Sequence, residues 1–444
     1  MTTADSRPLA ASLSRVRNSP LRVLVASLVG TTIEFFDFYI YTTAAVLVFP
    51  KLFFPASNAN VATLQSFLTL ALAFFARPIG SAIFGHFGDR IGRKATLVAA
   101  LLTMGLSTVC IGLVPTYEKI GVAAPWLLSL FRLGQGLGLG GEWGGAVLLA
   151  TEIAPPGKQS LYGMFPQLGA PIGFICSSST FLWLTTRFTD HQLLDGWWRV
   201  PFLASALLVF VGLYVRLSLA ETPVFKRAMD NHERVRVPMF SVIREHPLTL
   251  VLGTFGATAT FVVFYLMTVF ALSWGTSKLG FARSQFLVIQ MIGVLFFAAT
   301  IPVSAWIADR IGRMETLIGA TVLIIVFGLF LAPTLGAGTQ TGALLFLCVG
   351  FALMGLTYGP LGTALAELFP TAIRYTGSSL AFNLAGIVGA APAPYIATYL
   401  GNTFGLPTVG YYLSGAGIVT LVALIAIRSR NALENERHTR RQTQ

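Results

Sequence analysis

Charged side chains are scarce in this 444-residue sequence, and their scarcity excludes an ordinary soluble domain. Only 11% of the residues are Asp, Glu, Lys or Arg, whereas 55% are hydrophobic. Soluble domains usually carry about 25% charged residues. The hydrophobic residues are gathered in runs that are long enough to cross a bilayer as helices, which takes about 20 apolar residues each. The composition therefore predicts an all-α polytopic membrane protein.

Cysteine is also scarce. Cys110, Cys176 and Cys348 stand far apart inside apolar runs, without a CxxC pair or the cysteine–histidine spacing of a metal site. We therefore expect no disulfide framework, no metal and no cofactor. The glycine-rich stretch 134–145 permits a GxGxxG match, but no strand precedes it, so we do not expect nucleotide binding.

The basic residues do not indicate nucleic-acid binding, although the formal net charge is +12. Except for Arg77 and Arg132, they lie between the apolar runs or at their ends, and on alternate sides of the predicted membrane, about 22 on one side and about 6 on the other. By the positive-inside rule, the richer side is cytoplasmic. We expect both termini to be cytoplasmic and the protein to reside in the plasma membrane, which in bacteria is the inner membrane.

Twelve apolar runs of helix length are present, so twelve transmembrane helices are predicted. They lie at about 22–48, 64–86, 95–114, 126–150, 161–185, 197–217, 248–272, 285–307, 315–333, 341–365, 374–400 and 407–428. The first run is too long for a signal-peptide core and no small-residue cleavage pattern follows it, so we expect it to remain as a span.

One long polar stretch divides the chain into two halves. It predicts an N-terminal six-helix bundle at 1–217, a cytoplasmic linker at 218–247, a C-terminal six-helix bundle at 248–428 and a cytoplasmic tail at 429–444.

A charged turn occurs once in each half, between two apolar runs. The copies are Gly85-His-Phe-Gly-Asp89-Arg90-Ile-Gly92-Arg93-Lys94 and Ala305-Trp-Ile-Ala-Asp309-Arg310-Ile-Gly312-Arg313. Glycine permits a tight turn, while Asp and Arg can bind helix ends. We predict that these turns are gating elements; the alternative is an ordinary basic loop.

Glu152-Ile-Ala-Pro155 and Glu367-Leu-Phe-Pro370 form a second repeated pair, each at the end of an apolar run. We expect Glu152 to pair with Arg90 or Arg93, and Glu367 with Arg310 or Arg313, when this side is closed. Arg374 is assigned to the same gate. The alternative is two solvated glutamates at helix ends.

These motifs and the twelve runs resemble the major facilitator superfamily. Further motifs resemble its metabolite:H⁺ symporter branch, which includes carriers of shikimate, 2-oxoglutarate, citrate and proline or betaine. Those motifs are Gly30-Thr-Thr-Ile-Glu34-Phe-Phe-Asp37-Phe-Tyr39, Phe75-Ala-Arg77-Pro78, Gly141-Glu142-Trp143-Gly144-Gly145, Trp198-Arg199-Val-Pro201-Phe202, Glu221-Thr222-Pro223-Val-Phe225 and Phe369-Pro370-Thr371-Ala-Ile-Arg374-Tyr375-Thr376-Gly377. The resemblance implies two six-helix halves and transport by alternating access, without enzymatic activity.

The sequence departs from the family pattern at three places. Gln159 stands where the second half has Arg374, and Ala305 replaces a glycine of the second turn. The tail after Arg428 lacks the apolar heptads of the osmolyte-sensing carriers, which weighs against an osmosensor.

Ionisable residues inside the predicted spans are functional candidates, because a charge in the bilayer costs several kcal/mol unless it is paired or hydrated. Glu34 and Asp37 lie at i and i+3 on the first span and are predicted to form the proton-coupling pair. Arg77 and Arg132 are predicted to bind an anionic substrate. The alternative is that these charges only hold helices together.

A wider set of polar and aromatic residues is predicted to line the substrate site between the halves. The full set is Tyr41, Arg77, Arg132, Gln135, Glu142, Trp143, Gln167, Tyr358 and Asn383.

We therefore predict a proton-coupled symporter that imports a small metabolite, such as a shikimate-like acid or a di- or tricarboxylate, and that works as a monomer. The alternatives are a drug or metabolite exporter working by H⁺ antiport, a proline or betaine symporter, and a membrane sensor that does not transport. Fold alone does not decide among them.

Overall fold

The computed structural model describes residues 20–55, 58–91, 93–218, 238–370 and 373–442; in 85–91, 93–97 and 433–442, and at 216, 218 and 238, it describes only the backbone. Long helices account for most of these residues. In the first half they are α1 Pro20–Leu47, α2 Ala59–Ile91, α3 Arg93–Leu113, α4 Ala123–Gly140, α5 Trp143–Glu152, α6 Gln159–Arg187 and α7 Val200–Ser218.

The second half repeats this order after a short helix at Pro238–Glu245. Its long helices are α8 Pro247–Tyr265, α9 Arg283–Ile311, α10 Arg313–Leu329, α11 Gln340–Glu367, α12 Arg374–Ala385 and α13 Leu406–Gln442. No strand occurs in the described ranges.

Every predicted apolar run coincides with helix. Among the described residues, nine helical stretches are long and apolar enough to cross a membrane by length and composition. The other three predicted spans correspond to α3, of which Val98–Leu113 is a shorter apolar helix, to α4 with α5, and to α10. The chain is thus an all-α polytopic membrane protein with twelve helical spans in two halves. The residue limits of the halves stay a prediction, because most of the linker lies outside the described ranges.

The fourth span is not the single helix that the apolar run 126–150 predicted. It breaks at Gly141 and Glu142, where a turn separates α4 from α5. The break leaves the Gly141 carbonyl without its helical partner, and the Tyr375 hydroxyl of the other half donates a hydrogen bond to it at 2.7 Å. A broken helix is tolerated at membrane depth where protein groups satisfy its backbone in this way.

Two spans of the second half contain a π-helical segment that the apolar runs did not predict. Leu266–Phe270 follows α8 and continues into Ala271–Ser277, and Gly386–Ala390 follows α12 before the helix Ala393–Phe404. Such segments add a residue to a helix turn and occur often at functional sites.

The two halves meet mainly along α6 of the first half and α9 and α11 of the second, with α12 lying against α2 and α5. Within the first half, α1 packs on α6 and α4 packs between α2 and α3. Glycines make the α2–α4 contact close. A methyl group added at Gly136 would overlap the backbone of Ala73, and one at Gly140 would overlap the carbonyl of Arg77. The hydrophobic effect does not drive helices together in lipid, and small residues instead allow the close van der Waals contact that holds them.

Replacing Gly140 with alanine is expected to separate α2 from α4 and to destabilise the first half. Overpacking a close contact costs about 1–3 kcal/mol, so Gly140→Ala should lower the melting temperature of the purified protein in detergent. Gly319→Ala is the matched control, because a methyl group at that helical glycine meets no atom within 4 Å. Equal melting temperatures for the two variants would contradict the packing argument.

Candidate functional site

Asp309 joins the two halves at one end of the bundle. Its carboxylate accepts hydrogen bonds from the backbone N–H groups of Ser160 and Leu161, at 2.9 and 3.0 Å. Those groups belong to the first turn of α6, whose positive dipole end favours an anion. The Asp309 side chain is only 5% exposed, so a residue of α9 caps a helix of the opposite half in a nearly dry contact. We call this the Asp309 end.

Arg313 strengthens the same contact from the first turn of α10. Its guanidinium donates to Ser160 Oγ at 3.0 Å and to Gln159 Oε1 at 3.3 Å, both in the other half. It also lies 3.5 Å from Asp309 and forms an ion pair with Glu367. Gln159, which departs from the family pattern, therefore serves as an acceptor for Arg313.

The remaining residues predicted for gating have varied surroundings. Gly312 has a φ of 108°, which only glycine adopts without strain, and it ends α9 immediately before α10. Arg310 stacks on the ring of Trp306 at 3.9 Å, and Arg374 donates to the Phe369 carbonyl at 3.4 Å. Glu152 is exposed. The side chains of the first turn, which are those of Gly85, Asp89, Arg90, Gly92 and Arg93, lie outside the described residues.

A second ionic contact joins the halves at the opposite end. Arg283 begins α9, and its guanidinium lies 2.9 Å from the carboxylate of Asp190, in the short helix after α6. Since α9 has 29 residues, this pair lies roughly 40 Å from the Asp309 end. Sequence reasoning missed it, because both residues sit in ordinary loop-flanking positions without a motif.

A cavity lies between the halves. Its volume is about 50 Å³, which is room for only a few water molecules. Its lining consists of Glu34, Phe35, Phe38, Tyr39, Phe74, Arg77, Leu139, Trp143 and Ala170 from the first half and Phe261, Phe264, Tyr265, Met354, Tyr358, Phe382 and Asn383 from the second. We call it the central cavity.

Arg77 and Glu34 bring charge into the central cavity. Arg77 is only 8% exposed, and its guanidinium lies over the rings of Phe38 and Phe74, at 4.8 and 4.6 Å from their centroids. Its Nε has no hydrogen-bond partner among the described residues. Glu34 is near enough for its charge to attract that of Arg77. An arginine in this position can take up a carboxylate through its planar donors.

Contacts between the halves border the central cavity. The rings of Trp143 and Phe382 stack with their centroids 3.6 Å apart. Gln167 accepts a hydrogen bond from Trp143 Nε1 at 2.9 Å and donates to the Tyr358 carbonyl at 2.9 Å. The stack of Trp143 on Phe382 and the hydrogen bond from Gln167 to Tyr358 each join the two halves, so both must change when the halves separate.

Asn383 links the wall of the cavity to the first half in the same way. Its Nδ2 donates to Ser81 Oγ at 3.0 Å, and the Ser81 hydroxyl donates to the Gly140 carbonyl.

Asp37 lies in a second polar group, which we call the inner cluster and which consists of Asp37, Thr108, Arg132 and Gln135. Arg132 Nη1 donates to Gln135 Oε1 at 2.8 Å, Gln135 Nε2 donates to Thr108 Oγ1 at 2.7 Å, and the Thr108 hydroxyl lies 3.3 Å from Asp37 Oδ2. Asp37 and Arg132 are fully buried. The cluster is contained within the first half and does not line the central cavity.

Phe38 separates the central cavity from the inner cluster. Its ring centroid lies 4.8 Å from the Arg77 guanidinium and 4.4 Å from that of Arg132. Arg132 also lies over the ring of Tyr41 at 4.0 Å, and the Tyr41 hydroxyl donates to Thr69 Oγ1 at 2.6 Å. One aromatic ring is therefore shared by two buried cations, which ring faces stabilise electrostatically.

The structure divides the predicted substrate residues between these two places. Arg77, Trp143, Tyr358 and Asn383 line the central cavity, as does Glu34 from the predicted proton pair. The other predicted residues are buried but do not line it; they are Tyr41, Arg132, Gln135, Glu142 and Gln167. Glu34 and Asp37 are one helical turn apart, yet they face different surroundings, because positions i and i+3 differ by about 60° around a helix.

The comparisons with known proteins define the class. The family model of the Major Facilitator Superfamily matches residues 27–394. The chain belongs to this superfamily of membrane transporters, as the twelve spans and the repeated turns predicted.

The similar curated proteins are transport proteins and not enzymes. The chain is 55% identical over 413 residues to the inner membrane metabolite transport protein YhjE of Escherichia coli K12, covering 92% of this chain and 94% of that protein. It is 33% identical to the shikimate transporter of the same organism, covering 95% and 97%. It is 28% identical to that organism's proline/betaine transporter, covering 92% and 83%.

Solved structures support the fold. The crystal structure of a D-xylose-proton symporter superimposes with a TM-score of 0.66 at 18% identity, covering 92% of this chain and 97% of that one.

Asp309→Asn is expected to open the Asp309 end. Asparagine keeps one acceptor oxygen but loses the charge that α6 and Arg313 bind, and a charged hydrogen bond contributes about 1.5–3 kcal/mol. Thr363, buried on α11, can be replaced by cysteine in a background without the three native cysteines. We expect maleimide to label the cysteine at position 363 at least about tenfold faster in purified Asp309→Asn than in the protein that retains Asp309.

Glu315→Gln is the control for this experiment, because Glu315 pairs with Arg428 within the second half at 3.4 Å. Identical labelling rates in Asp309→Asn and Glu315→Gln would show that the Asp309 contact caps helix α6 but does not control opening of this end.

Proposed function

We propose that this protein is a proton-coupled symporter that takes up a small organic acid across the bacterial inner membrane by alternating access. Both termini would be cytoplasmic, and the monomer would be the functional unit. The observation that carries the proposal is the central cavity, which lies between the two halves and is lined by the buried Arg77. The proposed partners of the protein are a small metabolite, protons and the lipid bilayer.

Alternating access is supported by contacts between the halves at both ends of the bundle. The Asp309 end holds α6 against α9 and α10, and the pair of Asp190 and Arg283 holds the opposite end. A cavity of about 50 Å³ is too small for most metabolites, since binding sites are usually several times larger. The central cavity must therefore widen to admit a substrate, which requires one set of contacts to open.

Asp37 is the proposed proton site. It is fully buried, and its Oδ1 has no hydrogen-bond partner within the described part of the chain. Burial without a directly paired cation favours the neutral form of a carboxyl group. Its link to Arg132 runs through Thr108 and Gln135. A change in the position of Arg132 would therefore change the proton affinity of Asp37. Glu34 is proposed to contact the substrate and to offset the positive charge of Arg77.

The proposed coupling route is short. A substrate carboxylate that binds Arg77 draws this guanidinium away from the ring of Phe38, and the same ring also supports Arg132. The two arginines repel each other across the ring, so an anion at Arg77 lowers this repulsion and lets Arg132 move. Because linkage is reciprocal, protonation of Asp37 must in turn favour anion binding.

Asp37→Asn is expected to abolish accumulation driven by a pH gradient, because asparagine cannot exchange a proton, while downhill exchange continues. The measurement uses proteoliposomes and a radiolabelled acid first identified by counterflow from a panel of organic acids. Asp195→Asn, at an exposed position, is the control and should accumulate normally. Accumulation by Asp37→Asn at the wild-type level would remove Asp37 from the mechanism. Substrate-driven proton movement in the opposite direction would favour the exporter.

Phe38→Leu is expected to uncouple the two sites, because leucine fills space but offers no ring face to either arginine. The ratio of protons to substrate moved should fall, while exchange of substrate remains measurable. Phe346→Leu is the control, since Phe346 is buried in the second half and stacks on Phe327 at 5.3 Å. An unchanged ratio in Phe38→Leu would show that the ring only fills space.

A further inference from the structure

The charges of the central cavity limit the number of carboxylates on its substrate. We infer that the substrate carries a single carboxylate on a compact body and that di- and tricarboxylates are rejected. This inference rests on the proposed function only in taking the central cavity as the substrate site; it does not require proton coupling.

The cavity contains one cation and one anion. Sixteen residues line it, and Arg77 and Glu34 are the only Asp, Glu, Lys, Arg or His residues among them. Arg132, the other arginine of the spans, contacts the Phe38 ring and donates to Gln135, but it does not line the cavity. A second carboxylate would therefore find no second arginine in the described lining.

A second carboxylate would also meet repulsion. Glu34 bears the same charge, and ten of the sixteen lining residues are aromatic, with ring faces that are electron-rich. An ionised carboxylate that is buried without a partner costs several kcal/mol. Each added carboxylate would also require another proton to keep the cavity neutral, since the charges of Arg77 and Glu34 offset each other.

The aromatic walls indicate the shape of the rest of the molecule. Phe38, Phe74 and Tyr39 form one side, and Phe261 and Tyr265 face them from the second half. Such surfaces favour a ring or a compact apolar body over a long flexible chain. Asn383 and the hydroxyl groups of the cavity tyrosines supply the donors and acceptors that hydroxyl groups on such a body would need.

The test measures binding to the purified full-length protein by thermal shift. The probes are two cyclic monocarboxylates, shikimate and cyclohexanecarboxylate, together with cyclohexanecarboxamide, cyclohexane-1,3-dicarboxylate and citrate. We expect at least one monocarboxylate to raise the melting temperature, the amide to have no effect, and both polycarboxylates to bind at least about tenfold more weakly.

Two variants locate the effect at the central cavity. Arg77→Gln should lose monocarboxylate binding, and Glu34→Gln should gain affinity for the dicarboxylate, because the repelling charge is removed. Glu315→Gln, on the surface of the second half, should match the wild type. The inference is overturned if a polycarboxylate binds the wild type as well as the monocarboxylates do, or if neither monocarboxylate binds.

Uptake into proteoliposomes separates this inference from the proposed function. A monocarboxylate that binds but is not accumulated by a pH gradient would overturn proton coupling and leave the inference intact. A dicarboxylate accumulated by a pH gradient would overturn the inference and leave proton coupling intact.

Discussion

Two guanidinium groups buried in the membrane-spanning part of the first half set the arrangement of everything around them. A charge at this depth costs several kcal/mol unless the protein replaces its hydration. For Arg77 the replacement is the ring faces of Phe38 and Phe74, and for Arg132 it is the rings of Phe38 and Tyr41 with the amide of Gln135. Each arginine retains at least one donor without a partner among the described residues. Each guanidinium is therefore stabilised and still has a donor that an anion can accept a hydrogen bond from.

The contacts at the two ends of the bundle are suited to breaking and reforming. Exposed ion pairs contribute only about 0–1 kcal/mol, and the Asp190 side chain is 69% exposed. The Asp309 contact is more buried and has more hydrogen bonds, so it is the stronger of the two. Transport by alternating access needs states of similar free energy, because the minor state must be populated by binding of a small ligand. In the proposed cycle, the pair of Asp190 and Arg283 is therefore expected to break more readily than the Asp309 contact.

Sequence reasoning predicted the fold well and the site in part, for physical reasons. Apolar runs and repeated turns are local signals, so the twelve spans followed from them. Glu34, Asp37 and Arg77 could be chosen as candidates because an ionisable side chain inside the membrane costs free energy unless it is paired or hydrated. The break after Gly140 and the partner of Arg283 depend on neighbouring helices. A single sequence does not specify which helices pack together, so it did not reveal that the Phe38 ring divides Arg77 from Arg132.

Helix α1 connects the two polar regions without any intermediate element. Glu34 and Phe38 line the central cavity, and Asp37 between them contacts Thr108 of the inner cluster. A helix is stiff over a single turn, since each residue is fixed by backbone hydrogen bonds to the adjacent turn. Any rotation or shift of α1 that accompanies closure around a substrate therefore moves Asp37 against Thr108 at the same time. Coupling between substrate and proton then needs only one rigid element that both ligands bias, which is the physical requirement for linkage between two sites.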